Sequence, residues 1–339
     1  MSALDLLFYG VSALCGIGFG YAAQRGSLCA VLGVQDWIER RSARQLIAFL
    51  HCSLWVAVTS VPLVWLVPGA HLAAALPASG AALLGGLLFG AGAAINGGCA
   101  FGTITRLAAG DASFLATIAG IAAAVALRLY GVGDWVERPD GVVSPLEQPS
   151  QLSFALIVSA AAFLAWRSRR GWSAMVDRLR WTPERAAAVM GLTGGLLYAL
   201  NGSWAYTIAI ERGVGTMMTG IGSPVLGLIF VSGVFGAAIG AWRRRIFAAR
   251  LNARAMPLRF AAGVVMGVGA SLIPGGNDDL VLHAIPALSP HVLVAYPALI
   301  AGAATMLIAG RSTSFEALRS VTPARALRSI VSWKISGRE

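Results

Sequence analysis

The chain has 339 residues, 57% of them hydrophobic and only 12% charged, with mean hydropathy +0.72. Soluble domains carry about 25% charged residues, so this composition excludes an ordinary soluble protein and describes an integral membrane one. The net charge of +11, from 26 Lys+Arg against 15 Asp+Glu, does not mark a nucleic-acid binder, because the basic residues sit in short connections between apolar runs.

From the N-terminus onward there is no charged n-region and no small-residue cleavage site, so no cleavable signal peptide is expected. Nine apolar runs follow, at 4–22, 46–67, 81–95, 112–130, 152–166, 186–200, 224–242, 260–273 and 292–309. About 20 residues cross a ~30 Å hydrocarbon layer as helix. Several runs are shorter than that, and three of the short ones directly precede a glycine break. Short or Gly/Pro-interrupted segments at corresponding places in two halves point to a transporter's binding site. With the N-terminus outside and the runs alternating, nearly all arginines fall in cytoplasmic connections or the tail from Arg311. The outside connections then hold only Arg138 and Arg212, and the loop 131–151 is acidic, with Asp134, Glu137, Asp140 and Glu147. Nine spans, N-terminus out and C-terminus in, satisfy the positive-inside rule.

The chain also repeats itself. Gly18-x-Gly20 with Arg25-Gly26-Ser27-Leu28-Cys29 lies 176 positions before Gly194-x-Leu196 with Asn201-Gly202-Ser203-Trp204-Ala205. Gly86, Gly90, Gly92 and Ala93 lie 177 before Gly263, Gly267, Gly269 and Ala270. The loop 71–79 would be outside and its counterpart 243–259 inside, which makes the repeat an inverted one. The expected fold is an all-α polytopic membrane protein of about nine transmembrane helices plus short membrane-plunging half-helices. It forms a single integral membrane domain. The first repeat covers about 4–131, a linker helix 152–166, the second repeat about 184–310, and a basic cytoplasmic tail 311–339.

The centre of interest is residues 85–111, GGLLFGAGAAINGGCAFGTITRLAAGD, in which an apolar run breaks at Asn96-Gly97-Gly98 and presents Cys99. An unpaired backbone group costs several kcal/mol in hydrocarbon, so broken helices survive only inside protein or beside a cavity. Gly26, Gly97-Gly98, Gly202 and Gly275-Gly276 therefore predict four chain breaks meeting near the midplane. A half-helix starting after each break aims free N–H groups and partial positive charge at that centre, favouring an anion. The only lysine, Lys334, lies in the tail. The breaks deliver Cys29, Cys99, Ser203 or Trp204, and Asn277-Asp278. With one residue inserted in the second half, Asn277 takes the place of Cys99. Neutral thiols are weak, polarizable donors, suited to a large, soft, sulfur-bearing anion.

These motifs, RGSLCAV at 25–31, NGGCAFG at 96–102 and LIPGGND at 272–278, resemble the YeeE/YedE family, a sulfur transport family of bacterial membrane proteins. The resemblance runs from about Gly16 to Gly310. It implies uptake of thiosulfate or a related sulfur anion through an hourglass-like protein of the inner membrane. It further implies three cysteines that pass the ion along by S–H···S hydrogen bonds. Cys29 and Cys99 match two of them; the third is missing, with Asn277, Asp278 and Asp279 in its region. A cytoplasmic sulfur-accepting protein is a further expected partner, beside the lipid bilayer.

Each candidate has a plainer reading. Cysteine packs as a small hydrophobe, which suffices for Cys15 and Cys52 in mid-helix, whereas Cys29 and Cys99 directly follow breaks. Asp278 carries a coupling proton or cation, or it caps the short helix after Gly276. Asp279 is expected in an aqueous vestibule, and His283 and His291 at the interface. Arg25 attracts an anion at the pore mouth; Arg106 fits a cytoplasmic helix end. Asn96 and Asn201 satisfy backbone groups freed at breaks. The substrate path is thus Arg25, Gly26, Ser27, Cys29, Gly98, Cys99, Ser203, Asn277 and Asp278. The cysteines form no CxxC pair, and no zinc site, disulfide framework or cofactor is expected. Nor is there a GxxxxGK[ST] signature for ATP. A permease, not an enzyme, is the leading reading. The alternatives are a carrier or enzyme with a persulfidated Cys99 and a non-transporting membrane subunit.

Overall fold

A computed structural model describes residues 3–132, 140–171, 181–220 and 222–310. The basic tail, and the parts of the 131–151 and 167–185 connections that include Arg138, lie outside the described residues. The described chain is helical, with no strand beyond two isolated bridges. In order the helices are α1 (Ala3–Gly26), α2 (Ala30–Arg40), α3 (Arg44–Leu66), α4 (Gly80–Asn96), α5 (Ala100–Ala108), α6 (Leu115–Leu127), α7 (Gln151–Gly171), α8 (Pro183–Asn201), α9 (Tyr206–Thr219), α10 (Pro224–Arg243), α11 (Met256–Leu272), α12 (Asn277–Asp279) and α13 (Val292–Ala309). A π-helical turn, Leu280–Ala284, continues α12.

Among the described residues seven helical segments are long and apolar enough to cross a membrane, against the nine runs expected. The two that fall short are α7 and α8. The apolar part of α7 ends at Arg167. Helix α8 carries Glu184 and Arg185 in its first turn and is packed between α1 and α3, so its small, partly polar residues face protein. A helix shielded from lipid has no need of a lipid-compatible surface. The outside of the protein is the reverse: Leu4, Leu7, Leu14, Leu66, Leu84, Leu115, Phe235 and Leu293 are exposed, an apolar exterior that water would not tolerate.

Helix α1 packs on α10, α3 on α8, α4 on α13 and α6 on α11, while α1–α8 and α4–α11 form the middle. Exchanging α1–α6 for α8–α13 in order turns this set of pairs into itself. The glycine pattern explains the close pairs. A Cβ at Gly86 or Gly90 would sit 2.4 Å and 2.0 Å from the carbonyl oxygens of Ala295 and Leu299; at Gly263 and Gly267 it would meet those of Thr117 and Ile121 at 2.3 Å and 2.9 Å. Without side chains there, the backbones touch directly, as small-residue interfaces in membranes allow.

Each half interrupts its helices twice. The first break does not fall on Gly26, which is the last residue of α1 and lacks a side chain where a Cβ would lie 2.3 Å from that of Ala186 on α8. Ser27 takes the left-handed conformation instead, at φ 51°. Gly97, Gly202 and Gly275 open the other breaks at φ 77°, 66° and 120°. Three breaks close in the same way, with Leu28 N–H donating to Ala23 O, Gly98 N–H to Ala93 O and Gly275 N–H to Ala270 O. This Schellman bond satisfies carbonyls that an interrupted helix leaves open.

Candidate functional site at the meeting of four half-helices

Cys29 and Cys99 are the residues that precede α2 and α5, both in extended conformation. Their free thiols lie 3.6 Å apart, and Ala30 N–H donates to Cys99 Sγ at 3.3 Å. The start of one half-helix therefore holds the sulfur of the other. Gly102, one turn into α5, makes room for this: a Cβ there would be 2.7 Å from Cys29 Sγ. From the second half, Asn277 Oδ1 accepts from Ala100 N–H at 3.3 Å. The three side chains form one buried group, with Cys29 3% exposed and Cys99 and Asn277 at 0%. The Nδ2 amine of Asn277 has no hydrogen-bond partner. A buried donor left in this state is costly unless an acceptor arrives.

Asp278 turns to the fourth half-helix. Its carboxylate accepts from both the N–H and the hydroxyl of Thr207, each at 2.9 Å, and that hydroxyl accepts from Gly276 N–H at 2.9 Å. Helix α9 begins after Ala205, whose methyl cannot cap, so Asp278 supplies the cap from another element. The expected capping role is real in kind but applies to α9. Phe19, Phe49, Phe101, Trp204 and Tyr206 pack around the group; the Phe19–Trp204 centroids are 4.8 Å apart and Phe49 stacks on Phe101 at 5.7 Å.

Other candidates stand apart. Ser203 lies half-buried in the turn before α9, and the bonds joining the four ends pass it by. Ser27 is held from outside the group, by the Arg244 guanidinium at 2.8 Å. Arg25 is buried with its guanidinium over Tyr21 and Trp181, 5.6 Å and 5.8 Å from the ring centres. Gly98 shapes the break, its carbonyl accepting from Asn96 Nδ2 at 2.8 Å; Asn96 also binds Thr103 and Thr117. Asn201 donates to Leu197 O and Ser12. The two asparagines thus do the expected structural work. Arg106 lies over Phe114, 5.4 Å from its centre. Cys52 is core, and Cys15 packs at its edge.

Two expectations fail. Asp279 is buried, not in a vestibule, and its Oδ1 lies 2.6 Å from His283 Nδ1. His283 is wholly buried and His291 nearly so, the latter 2.7 Å from Ser289 Oγ. The segment after Gly276 is a short helix within the protein, so it carries both residues inward where a loop would have left them at the interface. Thr207 was not singled out in the sequence, and nothing local marks it: its role depends on a carboxylate 71 positions away.

By cap position the counterpart of Cys99 is Gly276, 177 positions on, and that of Cys29 is Ala205, 176 on. The 177 offset is the one the glycines at 86 and 263 already have, so no residue is inserted between them and Gly276, and Asn277 occupies the place after the cap. Among the described residues no three His, Cys, Asp or Glu side chains come together as metal ligands would. A family model described as "Sulphur transport" matches residues 25–305, which take in both thiols and all four breaks. No curated protein matches the chain.

Proposed function

From the premise that the chain belongs to the sulphur transport family, YeeE/YedE, we propose that it is a permease carrying thiosulfate into the cell across the bacterial inner membrane. The observation that carries this reading is the buried pair of thiols 3.6 Å apart, joined through Ala100 to the amide of Asn277. Thiosulfate has two unlike ends. Its terminal sulfur is soft and suits neutral S–H donors, while its sulfonate oxygens suit harder N–H donors. Cys29 and Cys99 take the first, and the spare Nδ2 of Asn277 takes the second. The N-termini of α2 and α5 add backbone N–H groups and partial positive charge.

The thiols and Asn277 are shut off from solvent, so passage requires the two halves to open in turn. An inverted repeat, N-terminus outside and C-terminus inside, provides two equivalent gates; the self-exchanging helix pairs and the paired glycine interfaces support it. The path runs through Cys29, Cys99, Gly98 and Asn277. Arg25, Gly26, Ser27 and Asp278 hold its walls, and Ser203 lies at its margin. A dianion entering against an inside-negative potential works against about 4.6 kcal/mol per 100 mV, so uptake needs a coupled ion or rapid consumption by a cytoplasmic sulfur acceptor. Covalent carriage on a Cys99 persulfide is the competing reading. The neighbours of the thiols are each other and backbone N–H groups, which suits hydrogen-bonded passage; a persulfide would add mass to Cys99 after exposure to substrate.

Growth of a host lacking its own sulfur uptake tests the proposal. The chain should support growth on thiosulfate as sole sulfur source and not on sulfate, which has no soft end. Growth on neither would remove thiosulfate as the substrate, and equal growth on both would remove the role given to its soft sulfur end.

A further inference from the structure

The thiol group does not use a second buried titratable pair. Asp279 and His283 lie one helical turn apart, with Oδ1 2.6 Å from Nδ1 and exposures of 8% and 0%. The other ring nitrogen, Nε2, accepts the backbone N–H of Trp204 at 3.4 Å. A backbone N–H can only donate, so Nε2 is unprotonated and the ring proton sits on Nδ1, facing Asp279. The imidazole is then neutral, and the pair carries one negative charge. Beside it Asp278 accepts two donors from Thr207, the arrangement of an ionised carboxylate.

No cationic side chain on the adjoining described elements offsets these charges. The titratable groups facing the pair and Asp278 are Tyr198 on α8, Tyr206 on α9 and His291 just ahead of α13, with Glu147 beyond Tyr198. None is a fixed cation, and among the described residues neither aspartate pairs with an arginine. Asn277, whose spare donor awaits an anion, is the residue next to Asp278. An anion arriving there adds negative charge to a region that already holds two buried carboxylates. That makes a proton bind more tightly, and by reciprocity a bound proton makes the anion bind more tightly.

We infer that the Asp279–His283 pair is a proton site, loaded from outside together with each anion and emptied inside, so that the protein is a proton-coupled importer. This rests on the uptake reading above. Asp279 is the member that solvent reaches. The proton binds the Asp279 carboxylate itself, because His283 Nδ1 already carries the ring proton, and leaves a neutral acid against a neutral imidazole, a pair of no net charge. Protonation thus reaches the anion site beside Asn277 by removing one of the two buried negative charges next to it. When the proton leaves for cytoplasmic water, that charge returns.

The full chain in liposomes loaded with a pH-sensitive dye, given external thiosulfate, tests this. The interior should acidify as labelled thiosulfate enters, and uptake should quicken as external pH falls, by at most about tenfold per pH unit for one proton. Asp279→Asn, which fixes the pair in its uncharged form, should lose both the acidification and the pH dependence while still exchanging labelled thiosulfate at equal concentrations on both sides. A merely structural role would lower exchange and leave the pH profile in place. Wild-type uptake without acidification, uptake driven by sodium, or an Asp279→Asn variant that still moves protons would each overturn the inference. The wild-type dye measurement needs no variant and decides the matter if Asp279→Asn fails to fold. A wild type that exchanges no thiosulfate would instead overturn the uptake reading, and this inference with it.

Discussion

The two halves build the same frame and fill it differently. Breaks before α2 and α5 place sulfur at the meeting point, with Cys29 and Cys99 in the residues ahead of the half-helices. Breaks before α9 and α12 place Ala205 and Gly276 there, and the chemistry moves one or two residues inward to Asn277, Asp278 and Thr207. The backbone solution, a broken helix followed by a half-helix, is shared, with the same closing bond at three of the four breaks; the side chains are not. A repeat can therefore keep its frame while one half holds soft donors for a substrate and the other holds hard donors and carboxylates. On this account the first half selects for sulfur and the second for charge.

Turning the amide into an acid should break this division most severely. Asn277→Asp would place a carboxylate within reach of the bound anion, and two like charges at 4 Å in a medium of effective dielectric 20 repel by about 4 kcal/mol. Thiosulfate uptake should fall about a thousandfold; unchanged uptake would remove Asn277 from the path. Losing one thiol is milder. Cys99→Ala or Cys29→Ala removes a hydrogen bond to an anion worth about 1.5–3 kcal/mol, so uptake should drop some ten- to a hundredfold. Cys29→Ala should be the lesser of the two, since Cys99 is the sulfur that both Cys29 and Ala30 contact.

Thr207→Val probes the opposite wall. It leaves Asp278 short of one donor and Gly276 N–H without its acceptor, which should cost about 1–3 kcal/mol of stability. A thermal-shift measurement in detergent reads that cost, and no shift would mean that Asp278 finds a replacement donor. The smallest effect sharpens the comparison. Asn277→Cys makes the second half resemble the first and should keep thiosulfate uptake within a few-fold of wild type, because a weaker donor replaces a stronger one at the same place. A complete loss would show that the second half must present an amide.

Much of this was legible in the sequence, for identifiable reasons. Asn-Gly-Gly and Pro-Gly-Gly inside apolar runs have no other use in hydrocarbon, so the breaks before Cys99 and Asn277 stood out. The glycines at 86, 90, 263 and 267 marked the repeat in the sequence, and in the structure they are where helix backbones meet. Gly26 misled, because a glycine kept for a neighbour's approach looks the same in sequence as one kept for a turn; its contact with Ala186 is tertiary. The i, i+4 spacing of Asp279 and His283 was there to see, but their burial depends on where a three-residue helix and its π turn are seated. The capping of α9 by Asp278 joins two halves of the chain and leaves no local trace. The apolar run of α8 reads as a span, but its first turn carries Glu184 and Arg185 and its faces pack on α1 and α3, so it is not among the seven helical segments apolar enough to cross a membrane.

The claim that the buried sulfur pair carries the substrate is tested most directly by exchange of labelled thiosulfate across liposomes containing the full chain. Two double variants serve, Cys29→Ala with Cys99→Ala, and Cys15→Ala with Cys52→Ala. The account predicts that exchange disappears in the first and persists in the second, where the altered cysteines only pack the core and its edge. Equal exchange by the two double variants would contradict it.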